Sequence, residues 1–346
     1  MDASFKFRNI KFSLFSLLLL FPVLGSSQYT EVINSNRPGL SVSAYALGKG
    51  VVQAEFGILY EQRDHTDLSR ESTLMGADLA LRYGLVFETL ELIYEGTYVN
   101  EDITFTAFGL NESRTDFSRN RIGLKYLIFD PFKDPERSKP NLYSWRANNK
   151  FQLKDLIPAV SVYAGASFVL GDNPFYPEDP LVSPRAMIAT QSSVTGRLVL
   201  ITNLIYDKIG TDFPEMEYLV SISHALKNPK WSVFVENQGI KSDRYADILL
   251  RTGIAHLFSK NFQADIQFGA SIKTTPSRMF GTVGFSYRLD LHEDEPIPIV
   301  DQKAGQNGGP IRKNAMKKGS VETLPGISKK KMRKLQKKAK RKNGSE

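Results

Sequence analysis

The sequence predicts an all-β fold: an antiparallel up-and-down transmembrane β-barrel of about twelve strands, followed by a disordered basic C-terminal tail. Three observations carry that expectation. Period-2 alternation of apolar and polar residues recurs throughout residues 51–291. The stretches between the alternating segments are by turns short and long. Aromatic residues gather at the segment ends.

The alternation is clearest near the end of the pattern. Phe262, Ala264, Ile266, Phe268, Ala270 and Ile272 fall on one face, and Gln263, Asp265, Gln267, Ser271 and Lys273 on the other. A strand sends successive side chains to opposite faces, so each such segment has one apolar and one polar side. Strands of soluble sheets run to about 5–6 residues, whereas a tilted strand crossing a bilayer needs roughly 9–11. Twelve segments fit the second case: 51–63, 73–85, 88–100, 117–129, 157–170, 184–194, 196–207, 215–227, 230–240, 246–259, 261–273 and 277–291.

The connections support the same architecture. Val86-Phe87, Lys227-Asn228-Pro229 and Ser259-Lys260 read as short turns, and 64–72, 101–116, 171–183, 208–214 and 241–245 as longer polar loops. Outer-membrane barrels place short turns in the periplasm and long loops outside, and an even strand count puts both termini in the periplasm. The Pro-rich stretch 130–156 breaks the rule; it holds a small extra element, or a hairpin is miscounted there. Tyr83, Tyr126, Trp231, Phe258, Phe262 and Tyr287 fall on outward positions at the turn end, and Tyr60, Tyr98, Tyr206 and Tyr218 at the loop end. Two such bands match the interfacial girdles of membrane barrels. A soluble sandwich would show shorter strands and no asymmetry of loop length.

The N-terminus predicts export. Lys6, Arg8 and Lys11 precede an apolar run from Phe12 to Leu24, and Gly25-Ser26-Ser27 follow. This is the order of a secretory signal peptide over residues 1–27, with cleavage expected before Gln28. No later segment reaches 18 apolar residues, and the chain has no cysteine, so neither a spanning helix nor a lipid-bearing or disulfide-bonded cysteine is expected. The formal charge is +8, but residues 292–346 hold fifteen basic and six acidic residues, +9. With +2 from the signal peptide, residues 28–291 carry −3. The basicity belongs to the tail.

The inward faces carry Glu55, Glu61, Arg63, Asp78, Arg82, Glu91, Glu95, Arg121, Lys125, Arg197, Glu217, Glu236, Arg251, Asp265 and Arg288. Both signs mix, and no ring of one sign appears, so strong ion selectivity is not expected. In a barrel this narrow the charges either line a conduit or pair and fill it. Residues 28–50, with Arg37 and Pro38, form no obvious strand and read as a lead-in or a plug.

Several strings carry a family resemblance. NRPGLSVSAYALGKGVVQAEFGILYE, with Arg37, Pro38, Lys49, Gly50 and Glu55, is similar to the opening of the outer-membrane, transporter-like barrels of the phenol-degradation meta-pathway family. LRYGLVFETLEL, IPAVSVYAGASFVLGDNP, TNLIYD with Asn203, VFVENQG with Glu236 and the final GFSYRL extend the likeness over about residues 34–290. The resemblance implies an outer-membrane transporter-like barrel and no particular substrate. The basic tail departs from a chain that ends at its last strand.

Catalysis is not expected. Of the four histidines, His65 lies in a loop beside Asp64 and Asp67, His224 and His256 near turn-end strand termini, and His292 at the start of the tail. None is matched with a serine at the outer end, and no phosphate loop or metal-ligand spacing appears. No cofactor or metal is implied.

The tail, residues 292–346, is rich in Pro, Gly and polar residues and is expected to be disordered. Ten of the fourteen residues 329–342 are basic: Lys329, Lys330, Lys331, Arg333, Lys334, Lys337, Lys338, Lys340, Arg341 and Lys342. Export removes nucleic acid as a partner. Anionic lipid headgroups, cell-wall polymer or an acidic periplasmic protein are the partners such a segment meets there, with each cation near an anionic surface contributing about 1 kcal/mol. The expected function is a transporter-like barrel in the outer membrane of a Gram-negative bacterium, passing or binding a small hydrophobic or amphiphilic solute. The alternative is a non-transporting accessory or scaffold subunit of an envelope complex, tethered by its tail.

Overall fold

The structure, a computed structural model, describes residues 32–132 and 153–292. The expected signal peptide, the middle of the Pro-rich connection and the basic tail lie outside the described residues. Twelve strands follow in order: β1 Val51–His65, β2 Arg70–Gly84, β3 Leu90–Phe105, β4 Leu110–Phe129, β5 Ala159–Phe168 and β6 Val182–Thr195. β7 Leu198–Asp207, β8 Glu215–Ala225, β9 Trp231–Ser242, β10 Ala246–Ser259, β11 Phe262–Ser271 and β12 Ser277–Asp290 complete the sheet. Each strand pairs antiparallel with its sequence neighbours, and β1 closes on β12 from Val51↔Asp290 to Asp64↔Ser277. Closure leaves no free edge, as a bilayer demands of a sheet.

The distribution of side chains is inverted relative to a soluble protein. The largest fully buried side chains include Arg82, Arg288, Lys125, Gln53, Glu91, Glu101 and Glu236. Exposed side chains at mid-strand include Leu79, Ile122, Leu124, Ile188, Leu204, Val235, Leu250 and Val283. Tyr83, Trp231, Phe258 and Tyr287 are exposed at the turn end, and Tyr60, Tyr98, Tyr206 and Tyr218 at the loop end. Tyr126 and Phe262 are half-buried, Phe262 because it packs between Phe258 and Phe285. An apolar belt between two aromatic bands is the surface of a barrel solvated by lipid.

Two loops are shorter than the sequence suggests. The stretch read as a loop over 64–72 is a hairpin whose strands reach His65 and Arg70 around a short 3-10 helix, Thr66–Leu68. That read over 101–116 is strand up to Phe105 and again from Leu110. Beyond the bilayer the outer face of a hairpin meets water and turns polar, so the apolar–polar alternation fades while the backbone ladder continues. Arg197, read as inward, is exposed in the turn between β6 and β7. The end of the Pro-rich connection forms a 3-10 helix, Leu153–Leu156.

Leu79 tests the orientation of the wall. Leu79→Arg is expected to lower folding stability in lipid vesicles by about 2–4 kcal/mol, the cost of a guanidinium near the bilayer midplane. Denaturant titration measures it, and a loss below about 0.5 kcal/mol would place that face out of lipid.

Candidate functional site in the barrel lumen

Residues 32–50 run inside the barrel without regular secondary structure. They enter β1 at the turn end through Gly50, whose φ of +76° lies in the left-handed region that favours glycine. The Gly50 N–H donates to the Gly84 carbonyl at 3.0 Å, and Val51 N–H returns to Gly48 at 3.1 Å.

This segment carries many backbone groups into a space with little water, and the wall satisfies them. Glu236 accepts from the N–H groups of Leu40 (3.1 Å) and Ser41 (2.9 Å). Glu55 accepts from Asn36 at 3.2 Å and Glu91 from Leu47 at 3.1 Å. Asn203 pairs with Val42 in both directions, accepting at 2.7 Å and donating at 2.9 Å. Lys125 donates to the carbonyls of Ser43 and Tyr45 at 2.9 and 3.0 Å. A buried N–H left unpaired costs about 1–3 kcal/mol, and hydrogen bonds to charged groups are the stronger kind. The lumen carboxylates therefore act as docking sites for a peptide segment.

Arg37 anchors the segment farthest from its entry. Its guanidinium meets Asp265 at 3.1 Å and Thr282 at 3.3 Å, and Gln263 donates to its carbonyl at 3.1 Å. A Cβ at Gly57, or at Gly284 opposite it in the ladder, would collide with the guanidinium. Two facing glycines thus form the notch that admits the arginine. On the other side Leu40 and Val42 pack against Ile93, Tyr163, Met187, Ile205 and Leu219.

The wall charges are paired. Arg82 binds Glu91 at 2.5 Å and Glu55 at 3.4 Å, and Lys125 binds Glu91 at 3.1 Å. Arg121 reaches Asp207 (2.8 Å), Glu217 (3.4 Å) and Glu95 (3.9 Å), and Arg185 shares Asp207 at 2.5 Å. Glu61 takes Arg63 at 2.7 Å and Arg278 at 2.5 Å. Arg251 lies 3.5 Å from Glu236, and Arg288 bonds Asn261 and Asp290 near the turn end. Asp78 and Glu95 stay half-buried and line a small cavity of about 90 Å³ beside Arg37. Of the predicted lumen residues, those of the turn half hold the segment, and those of the loop half surround open space.

That space is a cavity of about 570 Å³, with Leu40 of the inner segment in its lining. The loop between β5 and β6 contributes Asn173, Phe175, Tyr176 and Asp179 to it. Asp179 binds Lys208 at 2.6 Å and Arg244 at 2.5 Å. Arg244 stacks on Phe213 at 3.6 Å, and Arg114 lies 5.0 Å over Phe175 while donating to the Pro174 carbonyl. Asp116 accepts from the N–H groups of Asp172 and Asn173. Tyr245, in the loop before β10, donates to Asp247 and accepts from Arg278 at 3.3 Å. Burial, aided by Asp247 and opposed by Arg278, pushes its hydroxyl up to about 12, so it remains a neutral donor.

Sequence reasoning missed Glu101, Arg114, Arg119, Arg185, Asp207 and Arg278. Glu101 alone collects Arg70 at 3.3 Å and Arg114 at 2.6 Å. Glu101 and Arg114 sat in a stretch read as loop, and Asp207 and Arg278 at strand ends where alternation is weakest. Among the described residues no group of three or more His, Asp or Glu is placed to hold a metal ion.

The model of the family described as "Putative MetA-pathway of phenol degradation" matches residues 35–289. No curated protein matches the chain. Among solved structures, the COG4313 outer membrane channel from Pseudomonas putida F1 is similar at 10% identity and a TM-score of 0.45, over 74% of this chain and 100% of that one. The NanC porin is similar at 9% identity and a TM-score of 0.42, over 68% and 100%. The KdgM porin in complex with disordered oligogalacturonate is similar at 12% identity and a TM-score of 0.38, over 67% and 98%.

Two variants test the docking of the inner segment. Arg37→Ala leaves Asp265 buried without its partner and is expected to cost about 3–5 kcal/mol by denaturant titration, with Arg37→Ala/Asp265→Asn recovering much of it. Gly57→Leu fills the notch. With Ser41→Cys as the only thiol, maleimide labelling is expected to be slow in the parent. It should rise at least about tenfold when the bulkier side chain at position 57 ejects Arg37, the fold-change of roughly 1.4 kcal/mol. Equal labelling rates would mean that the notch does not hold the segment.

Proposed function

The chain belongs to this family, and from that premise we propose that it is an outer-membrane transporter-like barrel binding and passing a small amphiphilic solute. The observation that carries the reading is the division of the lumen. The turn half is occupied by residues 32–50, held only by noncovalent contacts. The loop half is a cavity of about 570 Å³, within the roughly 300–1,000 Å³ usual for small-molecule sites. Solute enters from the loop side, and the inner segment is the gate it must pass. The turn end faces the periplasm, which would put the tail cations Lys329 to Lys342 there too, within reach of anionic headgroups, cell-wall polymer or an acidic protein.

One observation favours the second reading, a non-transporting scaffold. Inner-segment residues and the ion pairs among Arg82, Glu91 and Lys125 share the turn half of the lumen. Planar-bilayer recordings separate the two. The intact protein is expected to conduct weakly, and deletion of residues 36–47 to raise conductance severalfold. Silence from both, with no solute flux into vesicles, would sink transport. Under the scaffold reading, removing residues 329–346 is expected to abolish co-purification of envelope partners, and unchanged co-purification would remove the tether.

A further inference from the structure

The cavity on the loop side is not neutral. Its lining contains nine arginine or lysine side chains and seven carboxylates, which leaves two positive charges over. Arg251 on β10 and Arg119 on β4 come from opposite sides of the barrel, and Arg278 comes from β12 between them. All three line the same cavity. Like charges converge here, and of the three Arg278 has the closest carboxylate, Glu61 at 2.5 Å.

The other two have longer ion-pair contacts. Among the described residues, the only carboxylate within ion-pair distance of Arg119 is Asp78 at 3.9 Å, and the buried Nε of Arg119 has no hydrogen-bond acceptor. Arg251 donates to Glu236 at 3.5 Å, a long contact to a carboxylate that also accepts the backbone N–H groups of Leu40 and Ser41. Its short contact, 2.6 Å, is with the neutral amide oxygen of Gln238. The Arg251 side chain is buried, whereas that of Arg119 is 35% exposed and open to an incoming solute, and a ligand that brings one negative charge can pair with both. The same cavity offers apolar surface from Leu40, Leu59, Leu74, Val99 and Phe280, with Phe280 lying 5.0 Å under Arg251.

We propose that this cavity is a binding site for an organic monocarboxylate, its carboxylate held among Arg119, Arg251 and Arg278 and its apolar body against Leu40, Leu59 and Phe280. The proposal rests on the solute-binding reading above and names the chemical class of its solute. The site discriminates by charge: a neutral analogue of the same shape leaves the guanidiniums as they were and loses the charge-assisted hydrogen bonds.

Benzoate and benzamide test it, with the full chain in lipid nanodiscs and isothermal titration calorimetry against empty nanodiscs. Benzoate is expected to bind at least about tenfold more tightly than benzamide, the worth of one charge-assisted hydrogen bond. Arg119→Gln is expected to erase most of that difference and Arg119→Lys to keep it. Equal binding of the two probes would overturn the site, and this comparison needs no variant. Inorganic phosphate binding as tightly as benzoate would overturn the apolar half of the site. Flux of both probes into vesicles is read on the same preparation. Selective benzoate binding without flux overturns transport and leaves the site standing, whereas equal flux with equal binding leaves transport standing and overturns the site.

Discussion

Everything in this molecule follows from one constraint: in a bilayer, each backbone N–H and C=O must find a partner within the protein. A sheet meets it only by closing, and β1 closes on β12 through fourteen paired positions. Closure sends every second side chain outward to lipid and every other one into the lumen. A twelve-strand ring leaves a narrow interior, so the polar set that keeps the strands amphipathic is packed together out of bulk water. Charges in such a place must pair, and Arg82, Glu91, Lys125, Arg121, Asp207 and Glu217 do so.

The segment 32–50 and the lumen charges depend on each other. Glu91 serves Arg82, Lys125 and the N–H of Leu47 together. Glu236 serves Leu40, Ser41 and Arg251. The carboxylates give the segment acceptors that an irregular backbone otherwise lacks, and the segment gives the carboxylates donors that would otherwise be water. Such an arrangement is reversible in principle. When the segment leaves, water can take over the same lone pairs, so withdrawal need not strand a buried charge. The apolar contacts of Leu40 and Val42 with Ile93, Tyr163 and Ile205 are what withdrawal gives up outright.

The cavity on the other side of Leu40 differs in balance. There the guanidiniums outnumber the carboxylates, and the loop between β5 and β6 folds over the opening through Asp179, Arg244 and Lys208. A roof held by ion pairs, walls that mix arginine with leucine and phenylalanine, and a floor made by a noncovalent segment together form a compartment. Its parts come from strands all around the ring and from the loops at one end, and they meet because closure brings β4 and β10 to face each other.

Alternation in the amino-acid sequence determined the strand number, the outward aromatic bands and the inward placement of Glu55, Arg82, Glu91, Lys125, Glu236 and Asp265, because a period of two is a local property of the chain. It did not reach the hairpin extensions at Glu101 and Arg114, where the outward face turns polar and the apolar–polar periodicity vanishes although Glu101 itself is buried. Nor could it say whether residues 28–50 lead in or plug the barrel. That depended on Arg37 meeting Asp265, 228 positions later, in a notch made by Gly57 and Gly284. Which charges pair and which remain in surplus is likewise a matter of distances across the lumen. Only closure of the ring sets those distances, and tertiary structure therefore decided the place of the inner segment, the cavity and its lining.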